Sequence, residues 1–349
     1  MMKPAFFAVF AASSLLAASA PVWEDPAINE ENHLSPRAYT VPEGGDWTMS
    51  LNGTWRYWWC GGVDQQPQDF MNIGFDDSRW FDIDVPSCVE MRGWGVPHYT
   101  NHRYPHKKDP PRIGTEYNPV SSYIKRFTLP DSWKSRRTVL RFDGVYSCHW
   151  VWVNGKYIGY SEDSKLPSEF DITDALVAGE NTLAVRVYRW CDGSYMEDQD
   201  MFRFSGIFRD VTLVSLPESG IRDFVFNTTP DASYRDWTAS LNVETYGDAG
   251  EISAALFDAD GKKAGDFIPK GKGTFSLALS APRLWSDEDP YLYTLVVKCR
   301  GDERRVKVGV RSYEIKGGLL LVNGRPIKFK GVNRHETSPA DGRQPTYEE

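Results

Sequence analysis

Three acidic residues crowd one short stretch, Glu197, Asp198 and Asp200, downstream of a Gly-Ser pair. Carboxyl groups this close can divide acid and base work. They can also hold a hard cation through oxygen, or serve only as a solvated loop or as hydrogen-bond anchors. Asn101 follows Tyr99-Thr100 in a Pro-rich loop. Alone it reads as a turn residue, yet its amide both donates and accepts, which suits a ligand rich in hydroxyls. Among six histidines, His335 is the sharpest candidate, flanked by Asn333, Arg334 and Glu336. His98, His102 and His106 recur every four residues, as metal ligands on a helix would. Pro97, Pro105, Pro110 and Pro111 argue against that helix.

These residues need a scaffold, and the composition bounds it. A chain of 349 residues suggests roughly two domains at ~150 residues each. Hydrophobic residues make up 41% and charged residues 25%, which excludes a disordered chain, a collagen-like fibre and a polytopic membrane protein. The net charge of -8 gives no electrostatic footing on phosphates, so no nucleic-acid partner is expected. The 13 Trp fit either aromatic sugar platforms or the filling of an all-β core. The five cysteines are far apart and form no CxxC pair, so isolated thiols are expected rather than a disulfide scaffold or zinc site. Walker A, Rossmann and GxSxG patterns are absent from the sequence.

Residues 1–20 read as a secretory signal, with Lys3 leading an apolar run to Ala18-Ser19-Ala20. Export to the periplasm or medium is the expectation, with no membrane insertion once the signal is cleaved. Beyond it, period-two alternation replaces helical periodicity. Trp150 to Val153 and Lys156 to Tyr160 flank Asn154-Gly155, the strongest hairpin signal in the chain. Val139 to Phe142 and Thr182 to Val187 are further strands of a sandwich, a jelly roll by expectation. A break at Leu216 to Gly220 opens a second module of short strands, suited to an immunoglobulin-like sandwich ending near Arg311. Leu319 to Pro326 forms one more hairpin. The expected division is a signal at 1–20, an arm at 21–45, a sugar-binding-like domain at 46–217 and a sandwich at 218–311. Residues 312–349 then read as the truncated start of a third domain, exposed and partly disordered after about Gly317.

Specific segments carry a family resemblance. They are Ser50 to Arg56, Tyr99 to Asn101, Asp163 to Asp171, Arg189 to Val211 and Gly331 to Glu336. In this order, from roughly Trp23 to Tyr347, the chain resembles the large β-galactosidases of glycoside hydrolase family 2. The resemblance implies a jelly-roll domain, an immunoglobulin-like domain and a TIM barrel that holds the chemistry. Retaining hydrolysis needs two carboxyl groups ~5–5.5 Å apart. By the family pattern both catalytic glutamates lie beyond Glu349, so this chain alone is expected to be inactive.

By the same resemblance, Asp200 approaches the galactose 6-hydroxyl and ligates sodium. Asn101 bonds sugar hydroxyls, and His335 binds one more tightly in the transition state. Asn333, Arg334 and Glu336 support it. The catalytic magnesium belongs to the barrel, and the full-length parent is expected to be a homo-oligomer. Two other readings stay open: a free-standing carbohydrate-binding protein, and another family specificity such as β-glucuronidase or β-mannosidase.

Overall fold

The computed structural model describes residues 20–197 and 200–344. The signal at residues 1–20 therefore lies outside the described residues except for Ala20, as does Asp198. Strands dominate, and helix among the described residues is limited to short 3₁₀ turns such as Val89–Arg92 and Asp192–Tyr195. No helix there is long and apolar enough to cross a membrane.

The first sandwich packs a seven-stranded sheet on a four-stranded one. In spatial order the larger sheet runs Glu30–Glu31, Lys156–Ser161, Cys148–Val153, Glu180–Tyr188, Val120–Thr128, Gly53–Cys60 and Phe81–Val85. The smaller runs Ser168–Asp171, Arg137–Phe142, Val211–Leu216 and Thr48–Ser50. The neighbouring strands are antiparallel. Trp55, Tyr57, Leu140, Phe142, Leu183 and Val185 meet between the layers. Burying each such side chain contributes roughly 1.5–3 kcal/mol.

Asn154 and Gly155 sit at φ 51° and 79°, the positive values that a type I′ hairpin needs. The turn joins Cys148–Val153 to Lys156–Ser161, as the sequence predicts.

The second sandwich pairs two four-stranded sheets. One runs Gly220–Pro230, Asp236–Tyr246, Thr274–Ser280 and Ile268–Gly271. The other runs Lys263–Asp266, Ser253–Phe257, Tyr293–Cys299 and Asp302–Val308. Alternation is plain in Asp236–Tyr246, where Trp237, Ala239, Leu241 and Val243 are buried in succession of two. This core is separate from the first, which is the physical meaning of two domains.

A three-stranded sheet of Tyr313–Lys316, Leu319–Val322 and Arg325–Pro326 follows. The expected hairpin forms here, with Lys316 paired to Leu319, Tyr313 to Val322 and Val322 to Arg325. Phe329 and Val332 are exposed, at 79% and 91%, as expected for apolar residues that lack a packing partner. All five cysteines are free, with Cys60, Cys88, Cys148 and Cys191 buried.

Candidate active site

Two strands outside the main sheets build the site. His98–Thr100 pairs antiparallel with Met201–Arg203, joining Thr100 to Met201, Tyr99 to Phe202 and His98 to Arg203. Asn101, just after the first strand, and Asp200, just before the second, therefore lie at the same end of this ribbon. Tyr99 and Phe202 lie opposite each other on one face, ring centroids 5.4 Å apart at 59°. The Tyr99 hydroxyl donates to Asp200 Oδ1. That bond, ahead of burial, raises the Tyr99 phenol above its ordinary value.

A cavity of about 300 Å³ opens beside the ribbon, lined by Tyr99, Asp200, Met201, Phe202, His335, Glu336, Thr337 and Arg343. Asp200 and His335, far apart in sequence, thus share one wall. Asn101 does not line the cavity, and its Oδ1 is engaged by His102 Nδ1. Arg334 pairs with Glu336 at 3.3 Å, and Asn333 is exposed.

The segment after His335 turns back onto the first sandwich. Arg343 Nη2 donates to the Phe202 carbonyl at 3.0 Å, and its guanidinium lies 5.8 Å over Tyr146. Ser338 and Gly342 close a small bridge, while Arg92 pairs with Asp341 at 2.9 Å. Gly342 has φ 71°, and a Cβ there would meet Met91, Cys88 and Phe204 at 3.0–3.2 Å. Only glycine makes this close approach without strain. Sequence reasoning missed Tyr99, Phe202 and Arg343, since nothing local marks a strand pair of such short elements.

The acidic run divides. Glu197 accepts from Ser164 Oγ at 2.8 Å, is raised by burial first, and does not line the Asp200 cavity. It acts as an anchor for the loop at Ser164. No helix forms across His98, His102 and His106. His106 instead packs against Tyr195 at 4.8 Å and Trp190 at 5.5 Å.

Among the described residues, two places carry side chains of a type that could serve a cation. Asp200 and Glu336 both line the cavity, and a carboxylate is a donor type that fits a hard ion such as sodium, while Glu336 is paired with Arg334. Elsewhere, ligand atoms of Glu162, Cys191 and Asp192 lie within 4.8 Å of one another. Burial, first among the causes, pushes Glu162 up to about 10. The sequence analysis singled out none of these three.

Comparison with known proteins gives a consistent set of matches. Residues 48–217 match the family model "Glycosyl hydrolases family 2, sugar binding domain". Residues 220–311 match "Glycosyl hydrolases family 2", and 313–348 match its TIM barrel domain. A β-galactosidase of Psychromonas ingrahamii is 39% identical over 337 residues, covering 90% of this chain and 32% of the relative. One of Vibrio cholerae is 42% identical over 355 residues, covering 92% and 34%. The chain thus spans about a third of the length of the curated relatives it matches.

Among solved structures, a Ruminococcus gnavus β-glucuronidase superposes with TM-score 0.70 at 22% identity, covering 90% of this chain and 52% of that one. A Lactobacillus rhamnosus β-glucuronidase gives 0.67 at 26%, covering 89% and 53%. At such identities the likeness speaks for the fold.

Proposed function

This chain belongs to glycosyl hydrolase family 2, and from that membership we propose that it forms the sugar-recognising front of a retaining β-galactosidase. The observation that carries this reading is the meeting of Asp200 and His335 in one cavity of about 300 Å³, of a size for one sugar ring. Asp200 accepts from the galactose 6-hydroxyl and ligates sodium, whose remaining ligands belong in this reading to the barrel. Bound there, sodium would supply a fixed positive charge to orient the sugar oxygen. His335 holds a ring hydroxyl more tightly as charge develops in the transition state. Asn101, at the ribbon end beside Asp200, bonds hydroxyls at the mouth. Asn333, Arg334 and Glu336 support His335 from the same segment, Arg334 pairing with Glu336.

Both reacting carboxyl groups, and the magnesium, belong in this reading to the family's barrel domain. The 349-residue chain is therefore expected to recognise sugar without turning it over. Export through residues 1–20 and a homo-oligomeric parent are parts of the same proposal.

One observation favours a second specificity. Arg343 lines the cavity, and a guanidinium suits the carboxylate of a uronic acid. The 39–42% identity to β-galactosidases favours galactose. Saturation-transfer NMR on the chain separates the two. Galactose is expected to receive saturation in sodium buffer and to lose it in Asp200→Asn and His335→Ala. Saturation of glucuronic acid alone would move the assignment to β-glucuronides. Hydrolysis of 4-nitrophenyl β-D-galactoside by this chain at an enzymatic rate would overturn the placement of both carboxyls in the barrel.

A further inference from the structure

We propose that Arg189 and Glu90 are positioning residues for the ribbon that carries Tyr99, Asn101 and Asp200. The inference rests on the functional reading above only for what the ribbon is for. The clamp itself is read from contacts. Arg189 follows the strand Glu180–Tyr188 of the seven-stranded sheet and is 2% exposed. Its Nη2 donates to two carbonyls, Val96 at 2.9 Å and Arg203 at 3.0 Å. Val96 lies two residues before the first ribbon strand, and Arg203 ends the second. One guanidinium therefore ties both ribbon strands to the sandwich.

Glu90 completes the clamp from the turn Val89–Arg92. It faces Arg189 at 3.5 Å. Its two oxygens accept from Ser205 N at 2.9 Å and Ser205 Oγ at 2.6 Å, just past the second ribbon strand. The backbone repeats the connection, with Val89 N donating to Ser205 O at 3.0 Å.

A buried ion pair is a poor device for stability, because desolvating both charges costs about what their attraction returns. It is a good device for fixing geometry, since Arg189 Nη2 must meet both carbonyls and the Glu90 carboxylate at once. The ribbon needs such a device. It has only two three-residue strands, and Tyr99 and Phe202 are exposed at 57% and 45%. Of its six strand residues, Met201 alone is a buried apolar side chain.

The test uses the full chain and a neutral pair, Arg189→Met with Glu90→Gln, so that neither charge is stranded. Hydrogen exchange and galactose affinity are both measured, with Arg189→Lys as the conservative variant. The expected result is exchange about tenfold or more faster in the ribbon, with the sandwich strands protected as in the wild type. Galactose affinity falls by about tenfold or more, and Lys recovers part of both. Unchanged ribbon exchange overturns the proposal. So does a loss of protection spread evenly over the sandwich, which would mark a merely structural pair. A loosened ribbon that binds galactose as before would also overturn it. If the wild type binds no galactose, the functional reading falls, and the clamp still stands or falls on exchange alone.

Discussion

His149 lies on the strand Cys148–Val153 with its ring 5.2 Å from Phe142 and 6.0 Å from Phe170. Its Nε2 meets Ser168 Oγ at 3.1 Å. Burial, with a smaller push from His33, holds its pKa down at about 3. The unfolded chain titrates this residue near 6.5. Between those values the unfolded state binds a proton that the folded state refuses. Stability therefore falls as pH drops through that window, by up to about 1.4 kcal/mol per pH unit from this residue. His149→Gln, measured by denaturant midpoints from pH 7 to 4, is expected to show a shallower acid loss; identical slopes would remove the residue from the account. Glu162 has the opposite sign. Its folded pKa of about 10 lies above the ordinary carboxyl value, so its contribution is complete in acid and is lost as pH rises towards 10. Glu162→Gln, measured by denaturant midpoints from pH 5 to 9, is expected to show a shallower loss as pH rises.

At the scale of elements, the hairpin around Asn154-Gly155 offers a paired test. Gly155 has φ 79°, and a Cβ there would meet nothing closer than 3.7 Å. Gly155→Ala adds only left-handed backbone strain, about 1 kcal/mol. Gly159 in the adjoining strand differs, since a Cβ would fall 2.4 Å from Glu31 O and 2.7 Å from the Phe170 ring. Gly159→Ala must part the edge strand Glu30–Glu31 or shift a buried ring. It is expected to cost more than Gly155→Ala in thermal unfolding, and the reverse order would contradict this packing. The first of these effects is legible in sequence, because Asn-Gly between alternating runs specifies its own turn. The second is not, because Glu31 reaches Gly159 only by strand pairing within the sheet and Phe170 only by packing from the facing sheet. The ribbon of His98–Thr100 and Met201–Arg203 is hidden for the same reason: Tyr99 meets Phe202 by register, and neither segment carries enough alternation to announce a strand.

Over the whole molecule, the arm before residue 46 joins the two sandwiches. Arg37 pairs with Glu169 of the first at 2.8 Å, and Arg222 of the second donates to Ser35 O at 3.0 Å. Glu43 N bonds Glu303 O at 2.8 Å. Beneath it, Arg304 and Asp302 form a fully buried pair at 2.7 Å. Arg304 also donates to Thr40 O, and Asp302 Oδ2 accepts from Ile221 N at 2.9 Å. Asp302→Ala would strand a buried guanidinium and is expected to destabilise by about 3–5 kcal/mol. Asp302→Ala with Arg304→Met should recover much of that loss in chemical denaturation. No recovery would mean that packing, not charge, carries the joint.

Sequence by itself determined the β class, the two modules with their break near Leu216 to Gly220, and the Asn154-Gly155 hairpin. Each is a local property, written in alternation or in turn chemistry within a dozen residues. It also named Asp200 and His335, through motifs whose order persists along the chain. Only the tertiary structure decided that these two share a cavity, that Asn101 lies at the ribbon end outside it, and that Glu197 anchors a loop instead of facing Asp200. It alone brought Arg343 back to Phe202 and set Arg189 across both ribbon strands. Those relations join residues far apart in the chain, and their geometry comes from strand register and chain reversal, which side-chain type and spacing do not encode.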